Sequence, residues 1–514
     1  MKEIAIGVDI GTTQTKAVGF NEDGTVRTSA YIRYPLIQEA EGMAEQDVEQ
    51  IFQAVVSCIS QVVSAVQPLE ISVISFSTAM HGLIAVDKKG QPLTRVITWA
   101  DNRAEKYAEA FKNTLLGQTV YQNTGMPMHP MTPFHKIRWL KEQHAEIFAR
   151  AEKFIGMKEY VFYRFFNRYI TDFSTASGTG FFNIHTLDWD RQALDEMQIT
   201  QEQLPLLASP TYQMTGLNKE LAEQIGVTEQ TIFVLGGADG PLSNLGLGAI
   251  AKGTATLTVG TSGALRYIVD QPYTHPQAET FCCLLDEKHW VIGGATSNGA
   301  GIFDWACENL LKEVQLDARI AGKNSYDAVM EQVKEVPVGA KGLLFHPYLL
   351  GERAPLWDAE AAGSFVGLKR NHDDKVMMRA VIEGICLNFK RILTELEELG
   401  GPVQEIRATG GFADSEVFKE IMADVLGYEL SLTESIEASA LGAVLLGWQS
   451  VGKINDLEQA CKNVQIYETV IPTPSRNQIY QQLYPIYLAT QQQLSASYHQ
   501  LAKLRADLDG LFDR

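Results

Sequence analysis

At 514 residues the chain exceeds what one ordinary hydrophobic core accommodates, so two domains are expected. Hydrophobic residues make up 45% and charged residues 20%, which excludes a disordered polymer, and no apolar run approaches the roughly 18 residues that cross a bilayer. The formal net charge of −19 argues against nucleic acid as a partner, and it requires that an anionic substrate be met locally by backbone N–H groups, a few basic side chains and a cation.

The first residues, Met1-Lys2-Glu3-Ile4, lead into a stretch broken by Asp9 and lack a secretory leader's pattern, so a cytoplasmic location is expected. Residues 4–8 (IAIGV) read as a buried strand that ends in Asp9-Ile10-Gly11-Thr12-Thr13. A second strand follows at 15–20, with Asn21-Glu22-Asp23-Gly24 as a hairpin turn. Asp47 caps a helix whose stripe is Val48, Ile51, Phe52, Val55, Ile59, Val62 and Val66. Residues 71–76 are the next strand, 135–167 look helical and aromatic, and 231–235 form a strand opening onto Gly236-Gly237-Ala238-Asp239. Strands alternating with helices place the chain in the α/β class.

The small, flexible run from Leu245 to Gly253 marks a domain boundary, giving residues 1–247 and 248–514. Beyond it come a strand at 254–259, the turn Gly260-Thr261-Ser262-Gly263, and a further strand at 264–269. A long helix spans 374–399 and stops at Gly400-Gly401. A strand at 405–409 opens onto Gly410-Gly411-Phe412-Ala413-Asp414, and 437–448 is a helix rich in small residues. The two halves repeat weakly: Gly11-Thr12-Thr13 matches Gly260-Thr261-Ser262, and Gly236–Asp239 matches Gly410–Asp414. Two similar α/β halves with four Gly-rich turns suggest a nucleotide held in a cleft between them. Cys58, Cys282, Cys283, Cys307, Cys386 and Cys461 contain no CxxC pair and read as reduced and mostly buried.

In Asp9-Ile10-Gly11-Thr12-Thr13, glycine admits close approach of a phosphate, the Thr12 and Thr13 hydroxyls and backbone N–H groups cradle its oxygens, and Asp9 can hold Mg²⁺. An ordinary Asx/Gly hairpin is the plain alternative. Asp239 follows a buried strand and two glycines, where α/β folds build their sites, and a carboxylate there can take the proton of an attacking hydroxyl and help place the metal. A helix N-cap before Pro241 is the plain alternative. No GxxxxGK[ST], no G-x-S-x-G and no dinucleotide fingerprint occurs, which sets aside P-loop, serine-hydrolase and Rossmann readings.

The chain resembles the FGGY family of carbohydrate kinases over nearly its whole length. The family's first signature is met at every position by Met131-Thr132-Pro133-Phe134-His135-Lys136-Ile137-Arg138-Trp139-Leu140-Lys141-Glu142-Gln143. The second falls at Gly363–Leu368 through Ala380–Glu383 and departs at Val376, where the family has a polar residue. The resemblance implies an α/β fold of two actin/hexokinase-like (ribonuclease H-like) ATPase domains, with ATP in the inter-domain cleft. It implies Asp239 as catalytic base, Asp9 and Asp239 as metal residues for Mg²⁺, and Thr12, Thr13, Gly260, Thr261, Gly299, Gly410, Gly411 and Ser415 as the ATP-binding set. Both signatures are expected to be structural.

Two segments of the family face the sugar: Ser77-Thr78-Ala79-Met80-His81-Gly82 and Trp99-Ala100-Asp101-Asn102-Arg103. Met80, His81, Gly82, Trp99, Asp101 and Arg103 are therefore the expected substrate-binding residues, the apolar ones as walls and the polar ones for hydroxyls. The runs Thr98–Arg103 and Gly237–Gly246 resemble those of family members acting on gluconate, whereas Met80-His81 is shared with those acting on D-xylulose. Gluconate is the expected substrate, with D-xylulose or another polyol as the alternative. Arg103 either grips the gluconate carboxylate or orders its own loop through Asp101. A non-enzymatic sugar sensor is the reading from another class, and it lacks a DNA-binding helix-turn-helix here. A homodimer through residues 455–514 is left open.

Overall fold

The structure is a computed structural model and describes residues 3–66, 71–322, 324–433, 437–462 and 464–512. The chain forms two compact units. The first comprises Met1–Lys252, Ile268–Ile292 and Ser435–Val464; the second comprises Gly253–Tyr267, Gly293–Glu434 and Gln465–Arg514. The change at Lys252/Gly253 lies near the boundary expected at 247/248, but two later segments return to the first unit.

The first unit is built on a six-stranded sheet in the order Gln213–Met214, Phe233–Ala238, Ile71–Thr78, Ile4–Ile10, Gln14–Asn21, Val26–Arg33. Its central strands Phe233–Ala238, Ile71–Thr78 and Ile4–Ile10 are parallel, which fits their nearly continuous burial. Ile4, Ile6, Val8 and Ile10 point into one core, and Ala5 into the other. The first core is closed by the helix Val48–Ser64, which Asp47 caps by accepting from Gln50 N at 2.7 Å.

The opposite face is covered by the helix Ala438–Ser450, whose small residues are needed for close approach. A Cβ on Gly7 would lie 2.3 Å from the Ala440 carbonyl, and one on Gly442 would lie 2.0 Å from that of Leu242. The stretch expected to be helical over 135–167 is helical in three pieces, Pro133–Gln143, Ala145–Arg150 and Met157–Phe166, with a strand Lys153–Ile155 before the last. Tertiary pairing overrides the aromatic helical pattern: Phe154 and Ile155 join Ile84 and Ala85 in a two-stranded ladder.

In the second unit, residues 263–267, Thr254–Val259, Glu405–Thr409, Leu430–Thr433 and Ile466–Val470 lie side by side in that order. The Asp374–Gly400 helix is capped by Asp373, which accepts from Val376 N at 3.0 Å. Val376, the departure from the second signature, is buried at 1% exposure, so an apolar side chain suits it. Glu383 in that signature accepts from Arg379 Nε at 2.6 Å and from Tyr480 Oη at 2.8 Å, fastening the C-terminal helix Pro474–Phe512.

Each unit opens with an antiparallel pair and lays a later strand parallel to the first: Ile71–Thr78 on Ile4–Ile10, and Glu405–Thr409 on Thr254–Val259. By this topology the Gly410 turn corresponds to the turn after Thr78, rather than to Gly236–Asp239 as the sequence repeat suggests. All six cysteines are free and buried. Among the described residues no helix is long and apolar enough to cross a membrane.

Candidate active site

Strand register assembles the first part of the site. Asp9 lies opposite Ser77, Gly237 opposite Ser77, and Ala238 opposite Thr78, so three adjacent strands end together. Ser77 Oγ donates to Asp9 Oδ1 at 2.7 Å. Lys16 faces Asp9 across the hairpin and itself donates to Glu437 at 3.1 Å. Burial raises the Asp9 carboxyl above its ordinary pKa, against the hydrogen bond from Ser77 and the charge of Lys16.

Asp239 follows Ala238 directly and is the first residue of the helix Asp239–Gly246, whose cap position is taken by Ala238. Its Oδ1 accepts from Gly240 N at 2.8 Å, and the residue keeps part of its surface exposed. The strand end beneath it is braced from below. Ala238 N donates to Ser174 Oγ at 3.2 Å, and Lys158 Nζ reaches Gly237 O at 3.4 Å while pairing with Asp172. Lys158 and Asp172 are both fully buried, a pair whose loss on one side would leave an uncompensated charge.

The Gly11–Thr13 turn is held by side chains that no motif announced. Tyr34 Oη donates to Gly11 O at 2.6 Å, Gln46 Nε2 donates to Thr12 O, and Trp99 Nε1 donates to Thr12 Oγ1 at 2.9 Å. Thr13 is exposed. Beside this turn is a small cavity lined among others by Thr12, Gln46, Met80, Gly82, Thr98 and Trp99, and none of its lining residues is charged.

Three expected sugar residues are thus brought to the cavity, and three are placed elsewhere. His81 adopts a left-handed φ of 69° and directs Nδ1 to Gly178 O at 2.6 Å. Asp101 is 1% exposed and accepts from Ala44 N at 2.9 Å. Arg103 contacts Asp101 at 2.8 Å and also pairs with Glu45, while its guanidinium lies 4.2 Å from the Trp139 ring centroid. Burial works against this charge, but the two carboxylates outweigh it and hold the guanidinium pKa above its ordinary value.

The second unit brings together the expected glycines. Thr258 lies opposite Thr409, so Gly260 and Gly410 follow adjacent strand ends. The helix Ala300–Asn309 starts against the first turn: Ala300 N donates to Gly260 O at 2.7 Å, and Gly299 N to Thr261 O at 3.2 Å. A Cβ at Gly299 would sit 2.6 Å from both the Gly260 and Ser262 carbonyls. Gly410 has φ 107°, and a Cβ there would meet Val259 O at 2.3 Å, whereas Gly411 faces open space. Ser415 caps the helix Glu416–Leu426, its Oγ accepting from Phe418 N at 3.3 Å.

The profile of the FGGY family of carbohydrate kinases, N-terminal domain, matches residues 4–246, and that of its C-terminal domain matches 255–450. The chain belongs to the FGGY family of carbohydrate kinases. A gluconokinase of Bacillus subtilis (strain 168) is 42% identical over 510 residues, covering 99% of both chains. Among solved structures, a gluconate kinase from Lactobacillus acidophilus matches with a TM-score of 0.93 at 38% identity, covering 98% of this chain and 100% of that one. A ligand-bound xylulose kinase from the same organism matches with a TM-score of 0.92, also at 38% identity, covering 97% and 100%.

As an FGGY carbohydrate kinase the chain uses ATP and a sugar. Sequence reading missed Tyr34, Glu45, Gln46, Lys158 and Ser174, which hold the turns and strand ends of the first unit, and it placed Ser77 in a sugar-facing segment without its bond to Asp9. Ser77 was within reach as the strand-end neighbour of Asp9; the others lie on separate elements, and no spacing in the chain brings them forward.

Proposed function

We propose that the chain transfers the γ-phosphoryl group of ATP to the primary alcohol of D-gluconate, giving 6-phospho-D-gluconate and ADP. The observation that carries this reading is the 42% identity to the Bacillus subtilis gluconokinase over essentially both full lengths. Asp239 takes the hydroxyl proton as the new O–P bond forms and the bond to the β-phosphate oxygen breaks. Its position at a strand end, braced through Ala238 and Gly237, suits a group whose direction has to be fixed. Thr12, Thr13, Gly260, Thr261, Gly299, Gly410, Gly411 and Ser415 are the residues proposed for ATP.

Asp9 and Asp239 offer hard oxygen donors at the ends of the two strands that flank Ile71–Thr78, which fits Mg²⁺ rather than a thiophilic metal. Bound there, Mg²⁺ supplies charge neutralisation of the phosphate oxygens. Met80, Gly82 and Trp99 form the wall for the sugar carbons. The six buried free cysteines are in keeping with a reducing cytoplasm.

A second reading, D-xylulose as acceptor, draws on one feature of the site. No charged side chain lines the cavity, and the nearby Arg103 is already paired with Asp101 and Glu45, so a neutral sugar meets no unmatched group there. A coupled ADP-release assay over gluconate, xylulose, ribulose, glycerol and erythritol separates the two. A large kcat/KM advantage for gluconate is expected, and the same advantage for xylulose would replace the first reading with the second.

A further inference from the structure

The signature helix Pro133–Gln143 carries a lysine that the reaction above does not use. Lys136 is 1% exposed, and its Nζ donates to His81 O at 2.6 Å and to Ile97 O at 3.2 Å. These two carbonyls belong to the two segments that bring Met80, Gly82 and Trp99 to the cavity. We propose that Lys136 is a positioning residue for the sugar, fixing the His81 carbonyl and the Ile97 strand end so that Met80 and Gly82 face Trp99. This rests on the reading that these three residues form the sugar wall.

The backbone around it needs such a tie. His81 sits at φ 69°, a region that side-chain-bearing residues seldom occupy, and the turn keeps it only if both ends are held. Its imidazole is anchored on Gly178 O, and its carbonyl on Lys136. Ile97 O accepts from Leu83 N at 3.0 Å as well as from Lys136, and Ile97 N returns a bond to Leu83 O at 2.8 Å. The lysine therefore sits where the segment after His81 meets the strand before Trp99. One helical turn further along, Trp139 lies under Arg103, which closes the other end of the Trp99 loop through Asp101 and Glu45.

Burying an ammonium is costly, and the environment records that cost: burial pulls the Lys136 pKa down to about 7, with Asp101 raising it and Arg103 lowering it further. The charges that act on it are those of Asp101 and Arg103, and its helix neighbour His135 is held down at about 3 by burial and so stays neutral. Loss of the proton as pH rises through about 7 weakens both charge-assisted bonds, so the sugar KM rises with pH.

The test uses the full-length enzyme with gluconate and with D-xylulose, read on whichever acceptor has the higher kcat/KM. Lys136→Met is expected to raise the sugar KM by about tenfold or more, leave the KM for ATP within about twofold, and keep a folded circular dichroism spectrum. The wild-type rise in sugar KM between about pH 6 and about pH 8.5 is expected to vanish in the variant. An unchanged sugar KM in a folded variant, or parallel rises for sugar and ATP, overturns the proposal. If the variant does not fold, Lys136→Gln decides: a folded enzyme with a raised sugar KM and an unchanged KM for ATP supports the proposal, and an unchanged sugar KM overturns it. Met80→Ala and Trp99→Ala probe the underlying reading separately. If both leave the sugar KM unchanged the cavity is not the sugar site, and a raised KM in Lys136→Met alone then overturns the route through these loops.

Discussion

The indole N–H of Trp99 donates to the Thr12 hydroxyl at 2.9 Å, so the wall of the cavity and the first Gly/Thr turn form one hydrogen-bonded piece. Trp99→Phe keeps the apolar wall and removes the bond. The expected result is a fall in kcat/KM for the sugar of about three- to tenfold, on the order of 1 kcal/mol. Steady-state kinetics with sugar and ATP varied in turn check it, and unchanged constants would uncouple the two elements.

Asp239 stands first in its helix with its strand end braced by Ser174 and Lys158. Asp239→Asn is isosteric and leaves those braces in place. It is expected to lower kcat by about 10² or more while calorimetry finds ATP binding within a few-fold of wild type. A variant turning over at a near-normal rate would remove Asp239 from the chemistry.

Asp9 is desolvated enough that its carboxyl pKa stands above the ordinary value. For a carboxyl whose folded pKa exceeds its unfolded one, the native state binds the extra proton, so stability declines as pH rises through the folded pKa. At neutral pH the Asp9 charge therefore costs stability. Asp9→Asn should raise the Tm at pH 7, with the gain shrinking as pH falls through the folded pKa and gone once pH is below the ordinary carboxylate range, where both states are protonated. The same variant should need more Mg²⁺ for half-maximal activity. A Tm difference that does not vary with pH would contradict the assigned cause.

Arg103 is held by Asp101 and Glu45 and lies over Trp139, a site where a planar fork cannot be replaced by a point charge. Arg103→Lys is expected to lower stability by about 1–2 kcal/mol and to raise the KM for gluconate and for xylulose alike. A rise of about tenfold confined to gluconate would instead indicate that the guanidinium meets the substrate carboxylate, about 1.4 kcal/mol of recognition.

Much of the architecture was legible because local patterns and tertiary demands agree. The Ile51–Val62 stripe and its Asp47 cap, the strand entering Asp9, and the Asp374–Gly400 helix all match what periodicity implies. Within the helical 135–167 stretch the short strand was not seen, because aromatic spacing suits a helix as well as it suits Phe154 and Ile155 in a strand. The site was legible only where a motif names its own residues. Asp9 and Asp239 are visible because glycines flank them, whereas Gln46 and Lys158 act through contacts across distant segments. Arg103 shows the converse: a basic side chain in a substrate loop suggests a ligand, and only the fold reveals that Glu45 reaches it.

The helix Ala438–Ser450 closes the second face of a sheet whose first strand is Ile4–Ile10. During synthesis the earliest strands therefore leave the ribosome long before the segment that covers them. Until residues near 450 emerge, Ala5, Val18 and Val73 have one apolar face without its helix. The second unit's long middle section is made in that interval, so its folding does not wait for the first to be finished. A nascent chain stalled before residue 438 should be readily proteolysed within residues 4–78 and retained by chaperones that bind apolar segments, and one extended past residue 464 should become resistant.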